Sequence, residues 1–105
     1  MMPASLPGAE LVLAGIEDLR NGVETIPALL VSIGAPRLRR IGYDLPPVIG
    51  PDPEHRLYAL LAREDSDTAH GRYNALVRRL VSFERAAERL RSSDLLVERD
   101  HSLES

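Results

Sequence analysis

The clearest hydrophobic pattern of the chain lies in one long stretch, from Asp67 to about Arg91. Apolar residues recur there at alternating spacings of three and four, at Tyr73, Leu76, Leu80, Phe83, Ala87 and Leu90. This is an a/d heptad pattern, which places one apolar stripe along a helix and suits packing against another helix. The pattern predicts a long C-terminal helix whose stripe is either the core of its own chain or an interface between two subunits.

The heptad positions beside the stripe favour the subunit interface. Arg79 falls at position g and Glu84 at the following e, two positions that meet across a parallel two-helix interface. Val77 and Val81 widen the stripe on one side, so that its edge can face a partner while the rest faces its own chain. We therefore expect a homodimer, with the alternative that the helix packs only within its own chain, as helices of single-chain bundles do.

Shorter apolar stretches upstream predict three further main helices and one short helix. The main helices run from Glu10 to Asn21, from Thr25 to Gly34 and from Pro53 to about Arg63, and the short one runs from Pro36 to Ile41. Their ends carry familiar signals: Asn21-Gly22 as a stop, Thr25 as an N-cap, and a proline in a first turn. The second helix is apolar nearly all round, which indicates the most buried element.

These elements predict an all-α fold, a small helical bundle of four main helices plus one short helix in a single domain over residues 1–105. We expect a flexible lead at 1–7, a proline-rich crossover loop at 43–53 and a flexible tail at 100–105. Ser92-Ser93 is expected to break the long helix, and the apolar residues 95–97 to form a last turn that docks back. No segment alternates with period two, so no strand is predicted.

Composition excludes several chemistries. The 105 residues contain no cysteine, which rules out disulfides, thiolate zinc sites and cysteine nucleophiles. No stretch approaches the ~20 apolar residues of a membrane span, and no charged segment precedes a signal-like apolar run, so we expect a cytoplasmic protein without a membrane partner. There is no glycine-rich phosphate loop and no dinucleotide fingerprint, and we expect no cofactor.

The charges alternate in blocks along the chain. The net charge is −3, and all 13 basic residues are Arg, a usage typical of GC-rich genomes. Residues 35–42 and 72–91 sum to +3 and +4, whereas 43–71 and 92–105 sum to −4 and −3. Alternating blocks of this kind favour complementarity within the molecule or between subunits over a uniform surface for polyanions.

The segment 27–42 is similar to a helix-turn-helix, with a helix, a glycine turn and an arginine-bearing helix. In that arrangement Arg37, Arg39 and Arg40 can contact phosphates or guanine edges. The second helix has only about six residues, short for lying along a major groove. A small DNA-binding regulator or antitoxin-like protein is therefore our alternative interpretation, with nucleic acid as its partner.

Arg63 and His70 are separated by six residues at the start of a long helix. This arrangement in a small helical bundle resembles the motif of the HEPN ribonuclease family. The resemblance implies that Arg63 binds the scissile phosphate, that His70 assists proton transfer and that the site forms across a dimer. The simpler reading is a helix start whose acidic residues favour the helix dipole, with a surface histidine. A ribonuclease is our third interpretation.

Glu64, Asp65, Asp67 and His70 lie within seven residues of one another. Oxygen ligands of this kind can hold Mg²⁺ or Ca²⁺, but these residues do not follow the order of an EF-hand. We expect an exposed acidic turn and no metal site. Our principal hypothesis is thus a non-enzymatic helical interaction protein whose partner is itself, as a homodimer, or another protein.

Overall fold

The computed structural model describes residues 6–48 and 50–104, with side chains up to Ser92. The described chain is all-helical and contains no strand. Its four helices are α1 (Ala9–Arg20), α2 (Ile26–Ile41), α3 (Pro53–Glu64) and α4 (Ala69–Glu104). The predicted flexible lead falls mostly outside the described residues, as do the side chains of the predicted tail.

Helix α2 is the centre of the fold. It packs against all three other helices, whereas α1 makes only slight contact with α4. Leu30, Val31 and Leu38 are fully buried in it, as the nearly continuous apolar sequence predicts. Full burial of one such side chain stabilises the folded state by about 1.5–3 kcal/mol, so this helix contributes much of the core.

Local signals set the start of α2 and the end of α1. The Thr25 hydroxyl accepts a hydrogen bond from the Ala28 N–H at 3.2 Å and donates one to the Asp18 carboxylate at 2.6 Å. Helix α1 ends at Arg20, and Asn21-Gly22 follows as the predicted stop. The Thr25 cap therefore also ties the two helices together through Asp18.

The predicted stop at Gly34 and the separate short helix at 36–41 are wrong. Helix α2 runs without interruption from Ile26 to Ile41, with Pro36 inside it. Proline and glycine in a helix interior cost about 3 and 1 kcal/mol relative to alanine. Burial of Ala35 immediately before the proline, and of Leu38 and Ile41 after it, outweighs that cost.

The predicted ends of the long helix are also wrong. Helix α4 begins at Ala69, with the Thr68 carbonyl accepting the first helical N–H, that of Arg72, at 3.0 Å. It continues through Ser92-Ser93 to Glu104, so residues 95–97 belong to the same helix and do not form a separate turn. Serine is only a modestly poor helix former, and two in succession do not suffice to end a helix.

The proline-rich segment lies between α2, which ends at Ile41, and α3, which begins at Pro53. Leu45 is buried within it, and the Tyr43 ring lies 5.8 Å from that of Phe83 in α4. Asp52 immediately precedes α3, where it adopts a left-handed conformation and its side chain makes no capping hydrogen bond. The molecule is elongated, measuring 59 × 26 × 20 Å.

Candidate functional site

The centre of the heptad stripe is buried within the single chain. Leu80, Phe83 and Ala87 are at most 3% exposed. Tyr73 and Leu76 are half-buried against the core, and Leu90 is exposed. The middle of the predicted interface therefore already has a partner in its own chain, and a second subunit can approach α4 only beside it or at its exposed end.

Arg79 and Glu84, the predicted inter-subunit pair, each have another partner in the chain. Arg79 pairs with Glu10 of α1, and Glu84 pairs with Arg37 of α2 at 3.4 Å. These two ion pairs join residues that are far apart in sequence, so heptad spacing alone does not reveal them.

An open groove of about 300 Å³ runs between α2 and α4 beside the stripe. We call it the α2–α4 groove. Its apolar end is formed by half-buried Ile33, Val77 and Val81 together with exposed Pro36. The two helices approach closely at its floor: a Cβ on Gly34 would lie 3.0 Å from Leu80 Cδ1.

Helix periodicity explains the order of side chains along the groove. Val77 and Val81 begin a row on α4 that steps by four and three residues and continues with Glu84, Glu88 and Arg91. Such a row keeps to one face of a helix. The groove is therefore apolar at one end and charged towards the other.

A buried carboxylate lies in the middle of the groove. Glu84 is 4% exposed, and burial raises the pKa of its carboxyl against the opposing effect of Arg37. Arg37 also pairs with Glu88, and that hydrogen bond lowers the pKa of Glu88. One guanidinium thus holds two carboxylates of α4, which fixes the spacing of the two groove walls.

A second hollow of about 520 Å³ adjoins the charged end of the groove. It is lined by Arg37, Arg40, Ile41, Glu88, Arg91 and Ser92. Arg91 donates a hydrogen bond to the Ile41 carbonyl at the end of α2. Arg40 is exposed. We call this hollow the basic end of the α2–α4 groove.

The three arginines of the predicted DNA-binding segment are placed differently. Arg37 is held by its two carboxylates, Arg39 donates to the Pro46 carbonyl at 3.1 Å, and Arg40 faces solvent. The helix-turn-helix geometry is wrong, because one continuous helix spans Ile26–Ile41. DNA binding by another arrangement stays an untested prediction.

Arg63 and His70 lie at the two sides of the α3–α4 turn. Both are exposed, Arg63 in the last turn of α3 and His70 in the first turn of α4. His70 Nε2 is 3.2 Å from the Asn74 side-chain nitrogen, and its ring packs edge-on to Tyr58. Ribonuclease activity stays a prediction.

Acidic side chains of the turn between α3 and α4 make contacts within the chain. Glu64 pairs with Arg72 at 3.0 Å, and the Asp65 carboxylate accepts the Asp67 N–H at 3.1 Å. Across the described residues, no three His, Asp or Glu side chains form a group that could hold a metal ion.

Comparison of the chain with protein families, with curated proteins and with solved structures finds no match in any of the three. Within the described part of the chain, no helix combines the length and hydropathy required to cross a membrane. The function must therefore be inferred from the surface of the molecule itself.

Proposed function

We propose that this protein is a non-enzymatic helical interaction protein that forms a homodimer through the α2–α4 groove. The observation that carries the proposal is the incompletely covered apolar end of that groove, where Ile33, Val77 and Val81 remain half-buried. Removing such surface from water contributes about 25 cal/mol per Å². A partner helix in the groove would gain this contribution without disturbing the core.

The area that a dimer needs is compatible with the size of the chain. A standard interface buries roughly 800 Å² on each partner. The surface of the chain is 6698 Å², so such an interface would cover about an eighth of it. The groove is smaller than this, and its rim must therefore contribute, including the basic end.

The α2–α4 groove replaces the heptad stripe as the contact surface in this proposal. The stripe residues Leu80, Phe83 and Ala87 are covered by their own chain, whereas Val77 and Val81 flank them at the groove. The widened edge of the stripe, visible in the sequence, is thus the part of α4 available to a partner.

The test compares Val81→Asp with Leu13→Asp by sedimentation velocity. Leu13 is an exposed apolar residue of α1 outside the groove, so its variant controls for the loss of one surface hydrophobic residue. We expect Val81→Asp to sediment as a monomer and Leu13→Asp to behave as the unaltered chain. Helicity by circular dichroism checks that both variants fold. Equal association of the two folded variants would contradict the proposal.

A further inference from the structure

Three arginines of α4 share one exposed face of the helix. Arg78, Arg85 and Arg89 stand, with Ser82, in a row that steps by four, three and four residues. Such a row keeps to one face of a helix, here the face turned away from the heptad stripe. All four residues are exposed. We call Arg78, Ser82, Arg85 and Arg89 the arginine stripe.

The stripe arginines differ from the rest of their block in having no acidic partner. The other arginines between residues 72 and 91 are held within the chain, Arg72 by Glu64, Arg79 by Glu10 and Arg91 by the Ile41 carbonyl. Arg78 donates to the Asn74 carbonyl of its own helix at 3.3 Å. Among the side chains that the structure describes, no acid forms an ion pair with an arginine of the stripe.

The two acids of the same block lie on a different face of α4. Glu84 and Glu88 belong to the row at the α2–α4 groove, where Arg37 holds both. Arg85 contributes to the lowered pKa of Glu88, but the hydrogen bond from Arg37 is its main cause. Arg85 and Arg89 are four residues apart, and like charges at this spacing destabilise a helix. A bound anion would relieve that repulsion.

The residues of α4 favour a phosphate backbone as that anion. Guanidinium groups match phosphate oxygens in bidentate hydrogen bonds. Membrane-surface helices expose an apolar face beside their basic residues, whereas the exposed large apolar residue among the described side chains of α4 is Leu90, in the heptad stripe. Single strands stack on aromatic rings, and the aromatic residues of α4, Tyr73 and Phe83, also lie in the heptad stripe.

The length of the helix suits a DNA duplex. Helix α4 has 36 residues, and the stripe spans about 16 Å from Arg78 to Arg89. The major groove of B-DNA admits an α-helix, whereas that of duplex RNA is too deep and narrow. The net charge of −3 does not prevent this contact, because salt screens exposed charges beyond about 8 Å.

We infer that the arginine stripe of α4 binds double-stranded DNA through its phosphates. Phosphate contacts carry no sequence information, so the binding is independent of base sequence. The inference goes beyond the proposed homodimer and does not depend on it. It places the contact on α4, whereas the sequence alone suggests the segment 27–42.

The salt dependence of binding tests the inference. Fluorescence anisotropy of a labelled DNA duplex of mixed sequence, about 20 base pairs long, gives the affinity at several salt concentrations. Each phosphate contact contributes about 0.9 to the magnitude of the slope of log K against log salt. We expect Arg89→Gln to reduce this magnitude by about 0.9, and Arg85→Gln with Arg89→Gln by about 1.8, for each chain that contacts the duplex. Duplexes of other sequences should show the same reductions.

Arg20→Gln is the matched control. Arg20 is an exposed arginine at the end of α1, so its variant makes the same change of charge outside the stripe and should leave the slope unchanged. Circular dichroism checks that every variant folds, and sedimentation velocity checks that each associates as the unaltered chain does. Equal slopes for the folded Arg89→Gln and Arg20→Gln variants overturn the inference.

Four further results would also overturn it. The first is no binding of the duplex at about 50 mM salt, where phosphate contacts are strong. The second is binding that survives in the double variant but is lost in Arg40→Gln, which would place the contact at the segment 27–42. The third is binding to phosphatidylserine vesicles and not to the duplex, and the fourth is tighter binding of an RNA duplex of the same sequence.

Discussion

Arg37 and Glu84 show how a single ion pair shapes the groove. Transfer of the Glu84 carboxylate from water into the protein disfavours its charged form, and the positive charges of Arg37, 3.4 Å away, and of Arg40 oppose this effect. Such a pair need not raise stability over a neutral substitute. Its role is geometric, because it holds α2 and α4 in register at the centre of the groove.

The opposite pKa shifts of Glu84 and Glu88 give a prediction with a defined sign. Glu84 has a raised pKa in the folded chain, so its contribution to stability is fully present at low pH and falls as pH rises above the usual value of 4.5. Glutamine does not titrate, so the Glu84→Gln variant lacks this fall in stability with rising pH. We expect Glu84→Gln to gain stability relative to the unaltered chain as pH rises from mildly acidic to neutral, measured by urea unfolding.

Glu88→Gln is the internal control for that experiment. Its hydrogen bond to Arg37 lowers the pKa of Glu88 below the usual 4.5, so its contribution is present above that value and is lost as pH falls through the lowered pKa. As pH rises within the acidic range below 4.5, Glu88→Gln should therefore become less stable relative to the unaltered chain. The same pH dependence in both variants would show that the two carboxylates are not in different environments.

At the scale of the helices, the contact between α1 and α2 depends on one glycine. A Cβ on Gly15 would lie 2.3 Å from the Pro27 carbonyl oxygen and 2.4 Å from Val31 Cγ2. Since the first of these atoms belongs to the backbone, no rotation of a side chain can relieve the overlap. The close approach of the two helices is possible only without a side chain at this position.

Gly15→Ala should therefore lower the free energy of unfolding by about 1–3 kcal/mol, the usual cost of overpacking. Gly71→Ala is the matched control, because a Cβ there meets nothing within 4 Å. In that variant the better helix propensity of alanine should raise stability by about 0.5 kcal/mol. Chemical denaturation of both variants measures the difference, and equal effects of the two changes would refute the close contact.

The helices also show which features the sequence can predict. Thr25 and Asn21-Gly22 are local signals, and the boundaries that they predict are confirmed to within a residue. Pro36 is a local signal too, but burial of the residues that follow it outweighs its cost, and a sequence pattern contains no measure of that burial. The two serines at 92 and 93 do not end α4, because their propensity cost is small.

The candidate site was predictable only in part. The sequence indicates that Val77 and Val81 lie at the edge of the apolar stripe, and this edge is where the groove is found. The partner of Glu84 could not be predicted, because Arg37 is 47 residues away in the chain. Heptad spacing identifies a face of a helix, but it does not say which surface covers that face.

At the scale of the whole molecule, two adjacent faces of α4 have different surroundings. One face of the helix completes the core with Leu80 and Phe83, and the adjacent face opens into the α2–α4 groove. The helix then continues past the end of α2 and gives the molecule its 59 Å length. The α2–α4 groove, beside the core face of α4, is the surface that the proposed homodimer would use.

The absolute molar mass of the unaltered chain in solution tests the central claim, association of two copies, most directly. Light scattering on a size-exclusion column, at two protein concentrations and low salt, gives this mass independently of the elongated shape. The account predicts a mass near twice the 11.6 kDa of the chain at the higher concentration, and a lower mass on dilution if exchange is fast. A mass of 11.6 kDa at both concentrations would contradict it.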